Sequence, residues 1–252
     1  MIQTTNLTRH FGSMAAVQNL NLTVETGELF GFLGPNGAGK TTTIRMLIGL
    51  LRPTAGTAIV AGHDVQQEPS AVKQTVGYLA QTPLLYEKLT GREFLRFVGG
   101  LYGLSDVESQ ARAERLLDLV NLEEKGNHLI ESYSGGMRHK IGLCSALLHE
   151  PRVLVLDEPL AGMDPYSARR IKDVLQELCR QGVTVFMSTH VLEIAERVCS
   201  RVSILDRGQL VAVGTIKELR DQAQSTAETT LEDLFLQLTA GERVAQVAAM
   251  LA

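Results

Sequence analysis

The sequence predicts an α/β protein built on a parallel β-sheet, and three features of the chain carry that prediction. A glycine-rich segment, Gly34 to Thr42, stands between an apolar run and a helical pattern. After Pro151, short apolar runs alternate with amphipathic stretches, the pattern of parallel βαβ units. Up to about Leu85 the chain is strand-rich, whereas residues 86–150 are helical, so a helical insert divides the α/β core.

The elements follow from local chemistry. Ile2 to Thr8, Leu20 to Val24 and Leu29 to Leu33 are apolar or alternating and bounded by Gly and Asn, which reads as strands. Ser105 with Glu108 forms a capping box, and Val107, Ala111, Leu117 and Val120 predict one apolar stripe behind it. Ser134 caps a second helix, whose Met137, Ile141, Cys144 and Leu148 share a face. Val153 to Leu156 and Val183 to Met187 read as buried strands flanking a helix with Ile171, Val174, Leu175 and Leu178 inside. Asp164 before Pro165 marks that helix's start. The polar stretch 221–230 reads as a linker, and Leu231, Leu234, Phe235 and Leu238 form a last helical stripe.

The 252 residues are 44% hydrophobic, enough for a large core. A formal charge of −4 offers no broad basic footprint, so no nucleic-acid partner is expected. No apolar run approaches the roughly 20 residues of a membrane-spanning helix. The start, MIQTTNLTRH, lacks a basic segment followed by an apolar one, so a cytoplasmic location is expected. Cys144, Cys179 and Cys199 are odd in number and widely spaced, which argues for buried free thiols rather than a disulfide framework or zinc site.

The segment GPNGAGKTT matches G-x-x-x-x-G-K-[ST] in its required setting, after a strand and before a helix. Gly34, Gly37 and Gly39 let backbone N–H groups wrap a phosphate at a positively polarised helix start, and Pro35, Asn36 and Ala38 complete the loop. Lys40 is placed for the β and γ phosphates, and Thr41, with Thr42 beside it, for an Mg²⁺ ion that prefers oxygen ligands. Kinase, GTPase and ATPase all use such a loop. None of the six asparagines is followed by Lys, so the N-K-x-D element that reads guanine is missing.

Asp157 and Glu158 end a buried strand at the edge where α/β ligands collect. Neighbouring strand residues point opposite ways, so Asp157 suits the metal and Glu158 suits polarising a water. His190 follows another strand and converges on the same edge. The run YSGGMRHK, Tyr133 to Lys140, puts Ser134, Gly135, Gly136 and Met137 at a second helix start able to hold an anion.

This ordered set resembles the nucleotide-binding domain of ABC transporters over residues 1–222. The resemblance implies a P-loop NTPase (RecA-like) core, residues 1–85 and 151–222, with an N-terminal antiparallel β subdomain and the helical insert 86–150; residues 223–252 form a linker and C-terminal helical tail. It implies ATP and Mg²⁺ as ligands and Glu158, His190, Lys40 and Gln81 as catalytic groups. Phe11 takes the place of the aromatic that stacks on adenine, with Val17 also at the nucleotide, Gln81 that of the Q-loop glutamine joining Thr41 and Asp157 at the metal, and Asp164 that of the D-loop aspartate. Two such domains, homodimer or paralogues, would pack head to tail, with Tyr133 to Met137 of one closing on the nucleotide of the other. Separate transmembrane permease subunits would dock in the groove beside Gln81, holding the chain on the cytoplasmic face of the membrane. The chain is most similar to ABC-2-type exporter ATPases, but Leu160, Met163 and His139 stand where Thr, Leu and Gln are usual. Two other readings compete: a nucleotide-gated switch of DNA repair or translation, which usually carries two cassettes in one chain, and a silent half-site of a heterodimer.

Overall fold

The computed structural model describes residues 1–160, 163–226 and 229–239. The end of the expected tail, residues 240–252, lies outside these, as do Ala161 and Gly162 of the D-loop segment.

Two sheets form the frame. The first is antiparallel, in the order β2 (Met14–Val24), β1 (Ile2–Phe11), β4 (Ala55–Val60), β5 (His63–Asp64). The second has six strands in the order β10 (Gln209–Gly214), β9 (Arg201–Asp206), β3 (Leu29–Leu33), β8 (Thr184–Thr189), β7 (Val153–Asp157), β6 (Val76–Leu79). Every pairing in it is parallel except β9 with β10. Strands β3, β7 and β8 are buried along their whole lengths, because both faces of this sheet are covered.

Strand alternation sorts the residues between those faces. Val153, Val155, Phe30, Phe32 and Phe186 pack toward helix α1 (Lys40–Leu47) and the antiparallel sheet. Leu154, Leu156, Val185 and Met187 pack on the other side against Ile171 and Leu175 of α6 (Pro165–Arg180). The short α2 (Pro69–Thr75) leads into β6, and α7 (Leu192–Val198) links β8 to β9. Beyond α8 (Ile216–Gln222), a helix over 231–239 closes the end of the sheet: Leu231 and Leu234 are fully buried with Leu33, Val202 and Ile204, and Phe235 and Leu238 pack against them. The expected last stripe therefore packs on its own chain.

The helical region contains α3 (Gly91–Leu101), α4 (Asp106–Leu119) and α5 (Gly135–Leu147). Ser105 and Glu108 make the expected capping box on α4. The stripe behind it holds at Leu117 and Val120 but not at Val107 and Ala111. Val107 is 79% exposed and Ala111 is exposed, whereas Ser109, Ala113, Leu117 and Val120 are buried. The reason is close packing of small residues: Ser109 lies so near Gly99 of α3 that a methyl group there would meet its hydroxyl at 2.2 Å. Helix α5 carries two apolar faces. Ile141, Cys144 and Leu148 join Phe94, Leu95 and Leu117, with Met137 against them, while Leu143, Ala146 and Leu147 pack on the parallel sheet. This one helix ties the insert to the core.

All three cysteines are free; Cys144 is buried, but Cys179 and Cys199 are only partly so. Among the described residues no helix is long and apolar enough to cross a membrane.

Candidate nucleotide site

The glycine loop between β3 and α1 forms one wall of a cavity of about 710 Å³. Helix α1 starts at Gly39, whose φ of +106° is left-handed and whose missing Cβ leaves room for the Ala16 carbonyl, 2.4 Å from where that atom would be. Pro35, Asn36, Gly37, Gly39, Lys40, Thr41 and Thr42 line the cavity, together with Phe11, Gln81, Asp157 and Glu158.

Lys40 is buried, and its ammonium donates to the Gly34 carbonyl at 2.7 Å and the Pro35 carbonyl at 3.1 Å. Burial lowers its pKa, against the attraction of Glu158 and Asp157. An anion in the cavity would favour the charged form.

The Thr41 hydroxyl donates to Asp157 Oδ2 at 2.9 Å, and the Ser188 hydroxyl donates to the other oxygen, Oδ1, at 2.5 Å. Asp157 and Ser188 face each other in the β7–β8 register. Glu158, one residue on, has a left-handed φ of +54°, a conformation costly for a non-glycine residue. Its backbone N–H donates to the Ser188 carbonyl at 3.1 Å, and its carboxylate meets His190 Nδ1 at 2.8 Å. Strand ends β7 and β8 thus present two carboxylates, a hydroxyl and an imidazole at one edge.

A divalent metal fits the oxygen donors of Thr41 and Asp157. Among the described residues no group of three or more His, Cys, Asp or Glu side chains forms a metal cage. The two oxygen donors, Thr41 and Asp157, fit an ion such as Mg²⁺, which takes one or two protein oxygens and completes its shell with phosphates and water.

Several expected residues do not line the cavity: Gly34 and the buried Ala38 lie within the loop but not on the cavity wall, and others stand elsewhere. Val17 is fully buried beneath the loop, its Cγ2 only 3.2 Å from a Cβ built on Gly39, so it supports the loop and does not line the cavity. Tyr133 is 5% exposed and donates its hydroxyl to the Lys125 carbonyl at 2.8 Å, which makes it a prop for the loop before α5. Met137 packs in the helical core.

Ser134 and Gly135 are exposed at the start of α5, Ser134 capping it by accepting from the Met137 N–H at 3.3 Å, with Gly136 in the same turn. None of these lines the cavity of its own chain, and neither does Asp164, which caps α6 through the Ser167 N–H. His190 opens instead onto a smaller hollow of about 270 Å³ shared with Glu158, Leu160 and Ile194. Leu160 and Met163 pack against the sheet core, which accommodates apolar residues at both positions.

Ser188, Met14, Ala15, Ala16 and Arg207 were not singled out by sequence. The last four line the cavity, but small apolar residues at a strand start and an arginine in a hairpin carry no motif.

A family model for ABC transporters matches residues 17–161. The chain belongs to the ABC transporter family. It is 39% identical over 219 residues to the linearmycin resistance ATP-binding protein LnrL of Bacillus subtilis (strain 168), covering 87% of this chain and 70% of that protein. Among solved structures, an ATP-binding subunit of an ABC transporter superposes with a TM-score of 0.89 at 32% identity, covering 95% of this chain and 99% of that one. The dimeric post-hydrolysis state of the cassette MJ0796, bound to ADP and Pi, superposes with a TM-score of 0.79 at 25% identity, covering 86% and 99%. Within this family the chain is an ATP-binding cassette with ATPase activity.

Proposed function

We propose that this chain is the ATP-hydrolysing subunit of an exporter, in which ATP-driven pairing of two cassettes moves substrate through separate transmembrane subunits. One observation carries the reading: the chain has two helix starts suited to an anion, one lining the cavity at Gly39 and the other exposed at Ser134, outside the lining of that cavity. Two copies packed head to tail would bring each Ser134 start to the partner's nucleotide. Binding would then glue the pair, and hydrolysis would release it.

In this reading Lys40 and the loop N–H groups hold the phosphates. Glu158 accepts a proton from the attacking water, and His190 orients the carboxylate and contacts the γ-phosphate. Thr41, Asp157 and Gln81 would hold Mg²⁺, whose charge would supply electrostatic stabilisation of the phosphates. Ser134, Gly135, Gly136 and Asp164 act across the interface.

The permease surface is assigned beside Gln81. Leu84 is 95% exposed and Tyr86 59% exposed, and Phe97 packs edge-on against Tyr86 with ring centroids 5.0 Å apart. Clustered apolar groups of this kind suit a protein partner; docked there on a transmembrane subunit, the chain would sit peripherally on the cytoplasmic face. The name of the linearmycin resistance relative favours a drug-like cargo.

Co-purification of the tagged chain from membranes tests this. A polytopic membrane protein in the complex, with Mg²⁺-dependent ATPase activity that Lys40→Ala abolishes, is the expected result. Ribosomal or DNA-repair partners without any membrane protein would reject it in favour of a nucleotide-gated switch.

A further inference from the structure

Strands β9 and β10 are joined by a two-residue turn, Arg207-Gly208, with Asp206 paired to Gln209 across it. Arg207 has φ +46° and Gly208 φ +79°. Positive φ at both central residues defines the type I′ hairpin turn, whose first position strongly favours Asn, Asp or Gly. Arginine there is a poor choice for the hairpin itself, because its Cβ is crowded in the left-handed region.

The hairpin is held against the phosphate loop. The Gly208 N–H donates to the Ala38 carbonyl at 2.9 Å, and the Gly208 carbonyl accepts from the Gln18 N–H at 2.8 Å. A methyl group on Gly208 would lie 2.8 Å from the Ala16 carbonyl, so turn, loop and β2 are in close contact. Arg207 is thereby set on the cavity wall with Phe11, Met14, Ala15 and Ala16. Arg201 and Arg220 are spent on ion pairs with Glu28 and Glu196. The Arg207 guanidinium has no such partner among the described residues.

The cations of the cavity thus occupy two places, Lys40 buried within the loop and Arg207 on the outer wall. We propose that Arg207 is a nucleotide-binding residue, donating from its guanidinium to the α-phosphate of the bound nucleotide from the β9–β10 turn. Guanidinium matches phosphate oxygens in charge and in donor geometry. The assignment rests on the nucleotide site described above and adds a contact that its motifs do not supply. It also explains the left-handed arginine, retained for the ligand at the expense of the turn.

The test separates ligand contact from hairpin structure. Arg207→Asn and Arg207→Gly place preferred residues in the turn, so without nucleotide their thermal midpoints should equal or exceed the wild-type value. Both should weaken ATP and AMP about tenfold, leave adenosine binding unchanged, and raise KM with kcat preserved. Arg207→Lys, which keeps the charge, should restore part of the affinity. Wild-type ATP and AMP affinities in both turn variants would overturn the assignment, as would a loss of adenosine binding equal to that of AMP. A wild-type chain that fails to bind ATP at all would instead overturn the nucleotide site, and the Arg207 assignment with it.

Discussion

His190 Nδ1 lies 2.8 Å from Glu158 Oε1, joining the residue that follows β7 to the one that follows β8. The contact bridges two neighbouring parallel strands, and Glu158 turns to meet it through a left-handed backbone. A carboxylate held this way at a buried edge is oriented before any substrate arrives.

Glu158→Gln keeps the size and removes the base. It should bind ATP with near wild-type affinity while losing roughly 10²-fold or more in turnover. Phosphate release measured beside nucleotide binding checks this, and unchanged turnover would remove Glu158 from its role.

Ser188 holds one oxygen of Asp157 while Thr41 holds the other. Removing a hydrogen bond behind a metal-ligating carboxylate typically costs 10- to 100-fold in metal affinity. Ser188→Ala should therefore raise the Mg²⁺ concentration needed for half-maximal ATPase by about tenfold, with metal-free ATP binding unaffected. A Mg²⁺ titration of the two proteins decides it.

Helix α4 distinguishes the buried row from the one its apolar residues alone would indicate. Leu117→Ala should cost about 2 to 5 kcal/mol by opening the helical core, whereas Val107→Gln should stay within about 0.5 kcal/mol of wild type. Urea unfolding of both variants is the check. A large loss for Val107→Gln would contradict the observed orientation.

His149 stacks on Tyr102 with ring centroids 3.8 Å apart, and burial pushes its pKa down to about 4. The folded chain holds this ring neutral, while the unfolded chain takes up a proton near pH 6.5. Its contribution is therefore fully present above about pH 6.5 and is lost as pH falls from there through about 4. His149→Phe keeps the stack and removes the titration, so its stability should fall less than wild type between pH 7 and pH 5. Equal losses in the two proteins would show that the ring is not held neutral.

The parts of this structure legible from sequence are those where one local rule acts alone. Leu29 to Leu33 is a strand buried on both faces and shows as an uninterrupted apolar run; Ser105 with Glu108 caps a helix through contacts three residues apart. The P-loop is readable because phosphate chemistry fixes Gly34, Gly39, Lys40 and Thr41 at set spacing within one short segment. Tertiary contacts hid the rest. Ser109 is buried only because Gly99 of another helix admits it. Ser188 reaches Asp157 only through β-sheet register. Val17 and Tyr133 lie beside the two glycine-bearing motifs in sequence or in space, yet their side chains are buried in the core.

Head-to-tail pairing driven by ATP is the central claim, and the mass of the Glu158→Gln chain in solution tests it most directly, because this variant should bind ATP without hydrolysing it at an appreciable rate. Sedimentation equilibrium should show a monomer without nucleotide, a dimer with ATP, and a monomer again when Ser134→Arg is added to block the second helix start. A Glu158→Gln chain that binds ATP yet remains monomeric, or one that dimerises equally well with Ser134→Arg, would contradict the account.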